Sequence, residues 1–138
     1  MVNIFTYGSL MFDPVWTRVV AGSYERADAI LPGYDRKAVQ GETYPVLIPS
    51  SPLSQVQGVV YFEVLSADLS RLDIFEGRCY FRKTEQIITE DKNVIAAEVY
   101  VLKEEYYAII SHKEWDPVHF STTNIHLFLH SHVDTDEQ

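Results

Sequence analysis

One acidic residue, Glu76, lies on the apolar face of a predicted helix, where its carboxyl group could take part in proton transfer. It belongs to residues 66–82, SADLSRLDIFEGRCYFR, which we interpret as a short amphipathic helix followed by a strand. A helix puts Leu69, Leu72 and Glu76 on one face, because their spacing follows the helical repeat. The leucines must face a core, so Glu76 also turns inward, where a carboxyl group is costly unless it is paired or its pKa is raised. Glu76 is therefore the first candidate for acid–base chemistry.

The predicted helix has signals at both ends. We expect Ser66 to be the N-cap, with its hydroxyl accepting a hydrogen bond from an amide of the first turn. Asp68 follows in the first turn, where the helix dipole favours negative charge. Gly77 is expected to end the helix in the left-handed conformation that glycine adopts at low cost. These signals fix the helix and, with it, the direction in which Glu76 points.

The residues after this helix leave a structural alternative open for Glu76. Its carboxylate could pair with Arg78 or Arg82 and only stabilise the fold, since ion pairs also perturb carboxyl groups. Cys79 alternates with its neighbours at the start of the following strand. We interpret it as a buried small apolar residue rather than a nucleophile.

A second stretch, residues 5–10 with the sequence FTYGSL, could bind an anion. It leaves a strand, passes Gly8 and begins a loop toward a helix. Successive backbone N–H groups in such a turn can form a concavity for a carboxylate or an oxyanion, and Gly8 lets a ligand approach the backbone. Ser9 lacks the glycine-flanked elbow that exposes a nucleophilic serine, so we expect a binding role for this loop.

The elements that position these stretches follow from alternating apolar residues and Gly/Pro turns. The predicted strands are residues 2–7, 24–31, 34–39, 46–48, 56–64, 80–88 and 94–102. Residues 56–64 are the clearest central strand, and the last two strands form a hairpin. Predicted helices begin at Asp13-Pro14, Ser66 and Asp116-Pro117, with each aspartate as an N-cap and each proline at the first helical position. The last helix runs to about residue 129, and residues 103–113 fit a short helix or an irregular crossing.

The connections are short, so most strand pairs should be antiparallel. The fold class is therefore α+β: a small mixed, mostly antiparallel β-barrel with flanking short helices. Residues 1–132 should form a single domain, and residues 133–138 a frayed acidic C-terminal tail.

The amino-acid composition limits the kinds of binding partner and the cellular compartment that we expect for this protein. The 138 residues carry a net charge of −9, which repels phosphate backbones and argues against a nucleic-acid partner. No apolar run is long enough for a membrane span, and no secretory signal is visible at the N-terminus. The single cysteine fits a reducing compartment, so we expect a cytoplasmic protein. The sequence leaves the oligomeric state open.

Three histidines near the C-terminus, His126, His130 and His132, include a pair four residues apart that could ligate zinc on a helix. Neither a cysteine nor a well-placed carboxylate completes a ligand set. We therefore predict a solvated helix end and no metal site.

The two stretches together resemble the γ-glutamylcyclotransferase-like family, and its AIG2-like branch in particular. Tyr-Gly-Ser-Leu ends the first strand, and Phe-Glu-Gly-x-x-Tyr-x-Arg follows the capped helix. The resemblance runs from Ile4 to about Val101 and includes the LPGY turn at 31–34 and the GVVY strand at 58–61. It implies the same small barrel with flanking helices.

The resemblance also implies a reaction. The α-amine of a γ-glutamyl amide attacks the side-chain carbonyl and gives 5-oxoproline and a free amine, without a cofactor. Glu76 would be the general acid and base, and the loop would hold the α-carboxylate through its amides. The residues assigned to substrate binding are Tyr7, Gly8, Ser9, Leu10, Tyr80 and Arg82.

Two other functions fit the same resemblance: an acyltransferase-like or amide-cleaving enzyme on γ-glutamyl conjugates, and a non-catalytic small-ligand binding protein. The expected partner in each case is a small γ-glutamyl amine or peptide. The leaving amine would be recognised by loops such as residues 42–45 and 103–115. These loops contain no sequence motif that indicates which amine they bind.

Overall fold

The computed structural model describes residues 1–133, apart from the side chain of His112, and consists of eight strands and several short helices over that range. The strands are β1 (Val2–Thr6), β2 (Arg26–Pro32), β3 (Tyr34–Val39), β4 (Pro45–Pro49), β5 (Gln55–Val64), β6 (Tyr80–Thr89), β7 (Val94–Leu102) and β8 (Ile110–Glu114). The two longer helices are α1 (Asp13–Val19) and α2 (Ser66–Glu76). Short 3₁₀ helices cover Ser9–Met11 and Glu104–Ile109.

Residues 117–133 form an irregular C-terminal helical segment. It comprises α3 (Pro117–His119), a π-helical stretch (Phe120–Asn124), α4 (Ile125–Phe128) and a second π-helical stretch (Leu129–Val133). The Asp116 carboxylate accepts a hydrogen bond from the Val118 amide at 2.9 Å, which confirms the predicted cap. The segment extends past the predicted end near residue 129. The acidic tail predicted for residues 133–138 lies, apart from Val133, outside the described residues.

Five strands close into a barrel in the order β1-β5-β2-β6-β7, which confirms the predicted α+β barrel with flanking helices. Every pair around it is antiparallel except β1 with β7, where the sheet closes in parallel. The predicted hairpin is present, with Tyr80 opposite Leu102 and Ile88 opposite Val94. The central position predicted for the strand at residues 56–64 is also confirmed, because β5 pairs with both β1 and β2.

A second sheet, in the order β4-β3-β8, lies outside the barrel and was not predicted. The sequence suggests a helix or an irregular crossing for residues 103–113. The structure instead has a 3₁₀ helix followed by β8, which pairs with β3. Residues 110–114 have little apolar alternation because this strand lies at the edge of its sheet.

Alternation along the barrel strands builds two apolar cores. Phe5 and Val60 face the barrel interior, whereas Ile4 and Tyr61 face outward under the helices. On that outer face Trp16 of α1 stacks on Tyr61 with the ring centroids 3.6 Å apart. The outer core also contains buried residues of the C-terminal helical segment, so this segment packs directly against the barrel wall.

Helix α2 packs against this outer core through Leu72, which is fully buried, and Leu69, which is half-buried. The predicted cap is wrong: Leu65 is the N-cap, its carbonyl accepts from the Leu69 amide, and Ser66 is already helical with no capping bond. Gly77 ends the helix with φ of +81° and ψ of −166°, a positive φ but not the predicted left-handed helical conformation.

The α1 cap is also corrected. Phe12 occupies the cap position, and Asp13 is the first helical residue. The Asp13 carboxylate accepts a hydrogen bond from Arg26 at 3.0 Å, so it is used in an ion pair rather than a cap. No helix within residues 1–133 is long and apolar enough to cross a membrane. The assignment of residues 1–132 to one domain stays a prediction.

Candidate active site

A cavity of about 190 Å³ opens where the exit of β1, the end of α2 and the start of β6 meet. It is smaller than the pockets of roughly 300–1,000 Å³ that bind drug-sized ligands, so it suits a small ligand. Its lining residues are Phe5, Thr6, Tyr7, Gly8, Ser9, Leu10, Tyr44, Pro45, Phe75, Glu76, Cys79, Tyr80, Tyr100, Ile109, Phe128 and His132.

Glu76, the last residue of α2, carries the only carboxyl group among these lining residues. Its side chain is half-buried, and none of the hydrogen bonds and ion pairs among the described side chains and backbone involves its carboxyl group. Burial, together with the negative charge of Asp73, raises the pKa of Glu76 to about 8. The structural alternative, an ion pair with Arg78 or Arg82, is therefore not what the structure contains.

The second acid on the packed face of α2, Asp68, shows the opposite behaviour. Burial alone would raise its pKa, but hydrogen bonds from the Ala21 and Gly22 amides, the Tyr24 hydroxyl and Arg71 lower it to about 2. Asp68 is thus an ionised anchor that ties α2 to the loop after α1. The sequence predicted a dipole-favoured residue in the first turn and missed this role. On the packed face of α2, the Asp68 carboxylate is thus fully hydrogen-bonded, whereas the Glu76 carboxyl group has no partner in the described chain.

Asp73 fixes the surroundings of Glu76. It accepts hydrogen bonds from the Tyr100 hydroxyl at 2.6 Å and from Arg82 Nε at 3.0 Å. Arg82 also donates to Glu98 at 2.6 Å and is not among the cavity-lining residues. Of the residues predicted to bind substrate, Arg82 is the one the structure does not bring to the cavity, because two carboxylates on neighbouring elements hold it.

The loop after β1 faces the same cavity. Met11 and Phe12 donate their amides within the 3₁₀ turn, to the carbonyls of Gly8 and Ser9. Within the described chain, none of the hydrogen bonds uses the N–H groups of Gly8, Ser9 or Leu10, although all three residues are buried. Buried backbone donors are nearly always paired, so three unpaired ones beside a cavity indicate a site for an acceptor.

Close packing holds this loop in place. A Cβ atom on Gly8 would lie 2.8 Å from the ring of Pro45, so only glycine fits there. On the other side, Arg36 Nη1 of β3 donates to the Tyr7 carbonyl at 2.9 Å. Because the Tyr7–Gly8 peptide is trans, its N–H points away from the carbonyl and hence away from Arg36. Arg36, which sequence reasoning missed, thus fixes the direction of the Gly8 N–H.

Four tyrosines line the cavity, and burial is the main cause that raises the pKa of each, so each stays a neutral hydroxyl. The Tyr7 hydroxyl donates to the Tyr100 carbonyl at 2.7 Å. The Tyr80 hydroxyl reaches the Pro45 carbonyl only at 3.4 Å, a long bond that a better acceptor could replace. The four residues are Tyr7, Tyr44, Tyr80 and Tyr100.

Two expectations about reactive side chains are corrected. Cys79 is half-buried and lines the cavity, rather than being fully buried. His126 and His130 are exposed, as predicted, but His132 lines the cavity, with its ring centroid 4.8 Å from that of Phe128. The spacing of four from Phe128 was the available signal. Among the described side chains of residues 1–133, which do not include that of His112, no group of three or more from His, Cys, Asp or Glu is placed to hold a metal.

The fold and the site together define a class: a small closed barrel in which a single raised-pKa carboxyl group shares a cavity with a loop of free amides. The family model described as gamma-glutamyl cyclotransferase, AIG2-like, matches residues 4–117. The chain belongs to this family, which confirms the resemblance seen in the sequence.

Individual relatives agree with this membership. AIG2-like protein D of Arabidopsis thaliana is 30% identical over 125 residues, which cover 86% of this chain and 82% of that protein. A solution structure from Arabidopsis thaliana has a TM-score of 0.72 and 29% identity, covering 94% of this chain and 87% of that one. A structure named gamma-glutamyl cyclotransferase has a TM-score of 0.62 and 21% identity, covering 74% and 66%, and shows the shared fold alone.

Proposed function

We propose that this protein is a γ-glutamyl cyclotransferase that converts a γ-glutamyl amide into 5-oxoproline and a free amine, with Glu76 as general acid and base. The observation that carries the proposal is the Glu76 carboxyl group: half-buried, without a partner in the described chain, and in one cavity with three unpaired amides. Membership of the family supports the same reaction.

The substrate is held by its γ-glutamyl part. The α-carboxylate accepts hydrogen bonds from the N–H groups of Gly8, Ser9 and Leu10, whose residues line the cavity. Charge-assisted bonds of this kind are about twice as strong as neutral ones. Fixing the α-carboxylate folds the glutamyl chain so that its α-amine meets its own side-chain carbonyl, which removes much of the entropic barrier to cyclisation.

Glu76 carries the proton from one nitrogen to the other. As a carboxylate it takes a proton from the neutral α-amine while that nitrogen bonds to the δ-carbon, and the carbonyl oxygen becomes an oxyanion. The oxyanion then collapses, the bond from the δ-carbon to the leaving nitrogen breaks, and Glu76 returns the proton to that nitrogen. Proton transfer of this kind typically contributes about 100- to 10,000-fold to the rate. The Tyr80 hydroxyl, with only a long bond to Pro45, is the donor available for the oxyanion.

The pKa of Glu76 suits this role. Burial raises the pKa of Glu76 to about 8, so its carboxylate is a stronger base toward an amine proton than an ordinary carboxylate is. The step starts from the neutral α-amine with Glu76 as a carboxylate, and one proton then passes from the attacking nitrogen to the leaving nitrogen. The chemistry consists only of proton transfers and orientation, so the proposal includes no cofactor.

The test is 5-oxoproline release from a panel of γ-glutamyl amides and dipeptides, measured by mass spectrometry. The proposal predicts release by the wild-type protein and a loss of at least about 100-fold in Glu76→Gln. The matched control is Glu105→Gln, an exposed glutamate in the Glu104–Ile109 helix, which should keep wild-type activity.

Three results would contradict the proposal. A folded Glu76→Gln variant with full activity would remove Glu76 from the chemistry. Transfer of the γ-glutamyl group to a second amine, without 5-oxoproline, would indicate an acyltransferase. Saturable binding of the panel without any turnover would indicate a binding protein.

A further inference from the structure

One side of the cavity is formed by four aromatic side chains that cyclisation of a γ-glutamyl group does not use. This aromatic wall consists of Tyr44, Phe75, Phe128 and His132. Phe128 lies at its centre: its ring centroid is 4.8 Å from that of His132, 6.2 Å from Phe75 and 6.3 Å from Tyr44. The rings of Tyr44 and His132 meet edge to face at 5.3 Å. The wall is thus a continuous aromatic surface.

Half of this wall lies outside the part of the chain that matches the family. The match ends at residue 117, whereas Phe128 and His132 belong to the C-terminal helical segment. The segment is held by buried side chains, among them Phe120 and Ile125, in the outer core. Its contribution to the cavity therefore lies beyond the residues that the family model matches.

The charges around the cavity favour one kind of ligand on this side. Among the lining residues there is neither a lysine nor an arginine. His132 lies 3.4 Å from the Glu42 carboxylate, so the nearest cationic candidate already faces an acid. The three loop amides serve one carboxylate, that of the γ-glutamyl group. A second carboxylate on the leaving amine would be desolvated without a partner, which is costly.

We propose that the aromatic wall binds the leaving-amine part of the substrate, and that this amine carries an aromatic ring and no carboxylate. The inference rests on the proposed function, because it assigns the group that the reaction releases. An aromatic ring on the amine packs against the half-buried rings of Tyr44, Phe75 and His132 in offset or edge-to-face geometry and removes apolar surface from water. The Phe128 ring, only 3% exposed, contacts all three and holds them in place. The wall therefore selects arylalkyl amides of γ-glutamate over γ-glutamyl amino acids.

The test compares two substrates that differ only in the leaving amine: the γ-glutamyl amides of benzylamine and of glycine. We expect wild-type kcat/KM to be at least about tenfold higher for the benzylamide. His132→Ala and Phe128→Leu each remove one ring, and Phe128→Leu keeps an apolar side chain in the core. Both should lower the benzylamide-to-glycine ratio at least about fivefold, mainly through the KM of the benzylamide. His130→Ala, an exposed histidine of the same segment, is the matched control and should leave the ratio unchanged.

A binding measurement separates this inference from the proposed function. Calorimetry on the Glu76→Gln variant, with and without Phe128→Leu, measures the affinity for the intact benzylamide. If no variant releases 5-oxoproline but Phe128→Leu still weakens binding at least about fivefold, the wall stands and the cyclotransferase proposal fails. If 5-oxoproline is released but the benzylamide-to-glycine ratio is near one in the wild type, or is unchanged from the wild type in both wall variants, the proposed role of the wall is wrong and the cyclotransferase proposal stands.

Discussion

Replacing Glu76 with glutamine should stabilise the protein in alkaline solution and not in acid. Glutamine has the shape of the protonated carboxyl group and does not ionise. In the unfolded chain a glutamate titrates near its ordinary value of 4.5, whereas in the folded protein burial, together with Asp73, raises the pKa of Glu76 to about 8. Ionisation of Glu76 therefore opposes folding, and the variant removes that opposition.

The sign and the size follow from proton linkage. Below pH 4.5 both states hold the proton, and between pH 4.5 and about 8 only the folded state holds it. The folded protein thus loses stability as the pH rises through this window, by about 1.4 kcal/mol for each pH unit. Above the window the loss is complete and amounts to about 3–5 kcal/mol, the lower figure allowing for the part of Glu76 that water in the cavity still reaches.

Urea denaturation at a series of pH values from 4 to 9 measures this difference as the free energy of unfolding of Glu76→Gln minus that of the wild type. The difference should be near zero at pH 4 and rise to a plateau above pH 8. Glu105→Gln, run in parallel, subtracts the general effect of removing one negative charge. A difference that stays constant across the series, or that falls as the pH rises, would refute the reasoning that Glu76 is desolvated.

Three further substitutions test the residues that hold helix α2 and the loop after β1 in position around the cavity. Asp68→Asn should destabilise the protein by about 2–3 kcal/mol at neutral pH, because it weakens four hydrogen bonds to a buried carboxylate; in the wild type, the stability that the ionised Asp68 contributes should fade only as the pH drops from about 4 toward 2. An unfolding midpoint at pH 7 that is the same in Asp68→Asn and in the wild type would contradict this prediction. Arg36→Met should raise the KM for γ-glutamyl amides about tenfold with a smaller effect on kcat, because the Tyr7–Gly8 peptide is released; partial rescue by Arg36→Lys would support positioning, and an effect on kcat alone would argue against it. Gly8→Ala should lower kcat/KM at least about tenfold, because its Cβ atom meets Pro45 at 2.8 Å and the loop must move; normal kinetics in this variant would show that the loop amides are not used.

Patterns among neighbouring residues in the sequence were sufficient to predict the barrel and the direction in which the Glu76 side chain points. The hairpin of β6 and β7 follows from two alternating strands around a polar turn. The inward orientation of Glu76 follows from its spacing relative to Leu69 and Leu72, because helix geometry depends only on neighbours in sequence.

Features that depend on distant partners were not predictable from the sequence. Strand β8 pairs with β3, about 70 residues earlier in the chain, so its existence depends on an edge formed elsewhere. Arg82 shares a strand face with Tyr80, which made a joint role in binding plausible. Asp73 and Glu98, on two other elements, hold Arg82 away from the cavity, and no local pattern encodes that competition.

The C-terminal helical segment contained a usable signal. Phe128 and His132 are four residues apart, so a helix places them on the same face, and Phe128 is an apolar residue that must be buried. Of the three histidines in this segment, only His132 lies on the same helix face as Phe128, whereas His126 and His130 are exposed. The contact with Tyr44 depends on tertiary packing and required the structure.

The most direct test of the central claim is to measure the ionisation of Glu76 itself. Carbon-13 NMR of the labelled glutamate side chains, with the Glu76 signal assigned by its absence in Glu76→Gln, follows its carboxyl shift across a pH titration. We predict a midpoint of about 8 for Glu76, and a γ-glutamyl amide should perturb that signal on binding. A midpoint near 4.5, the ordinary value for a glutamate, would contradict the account.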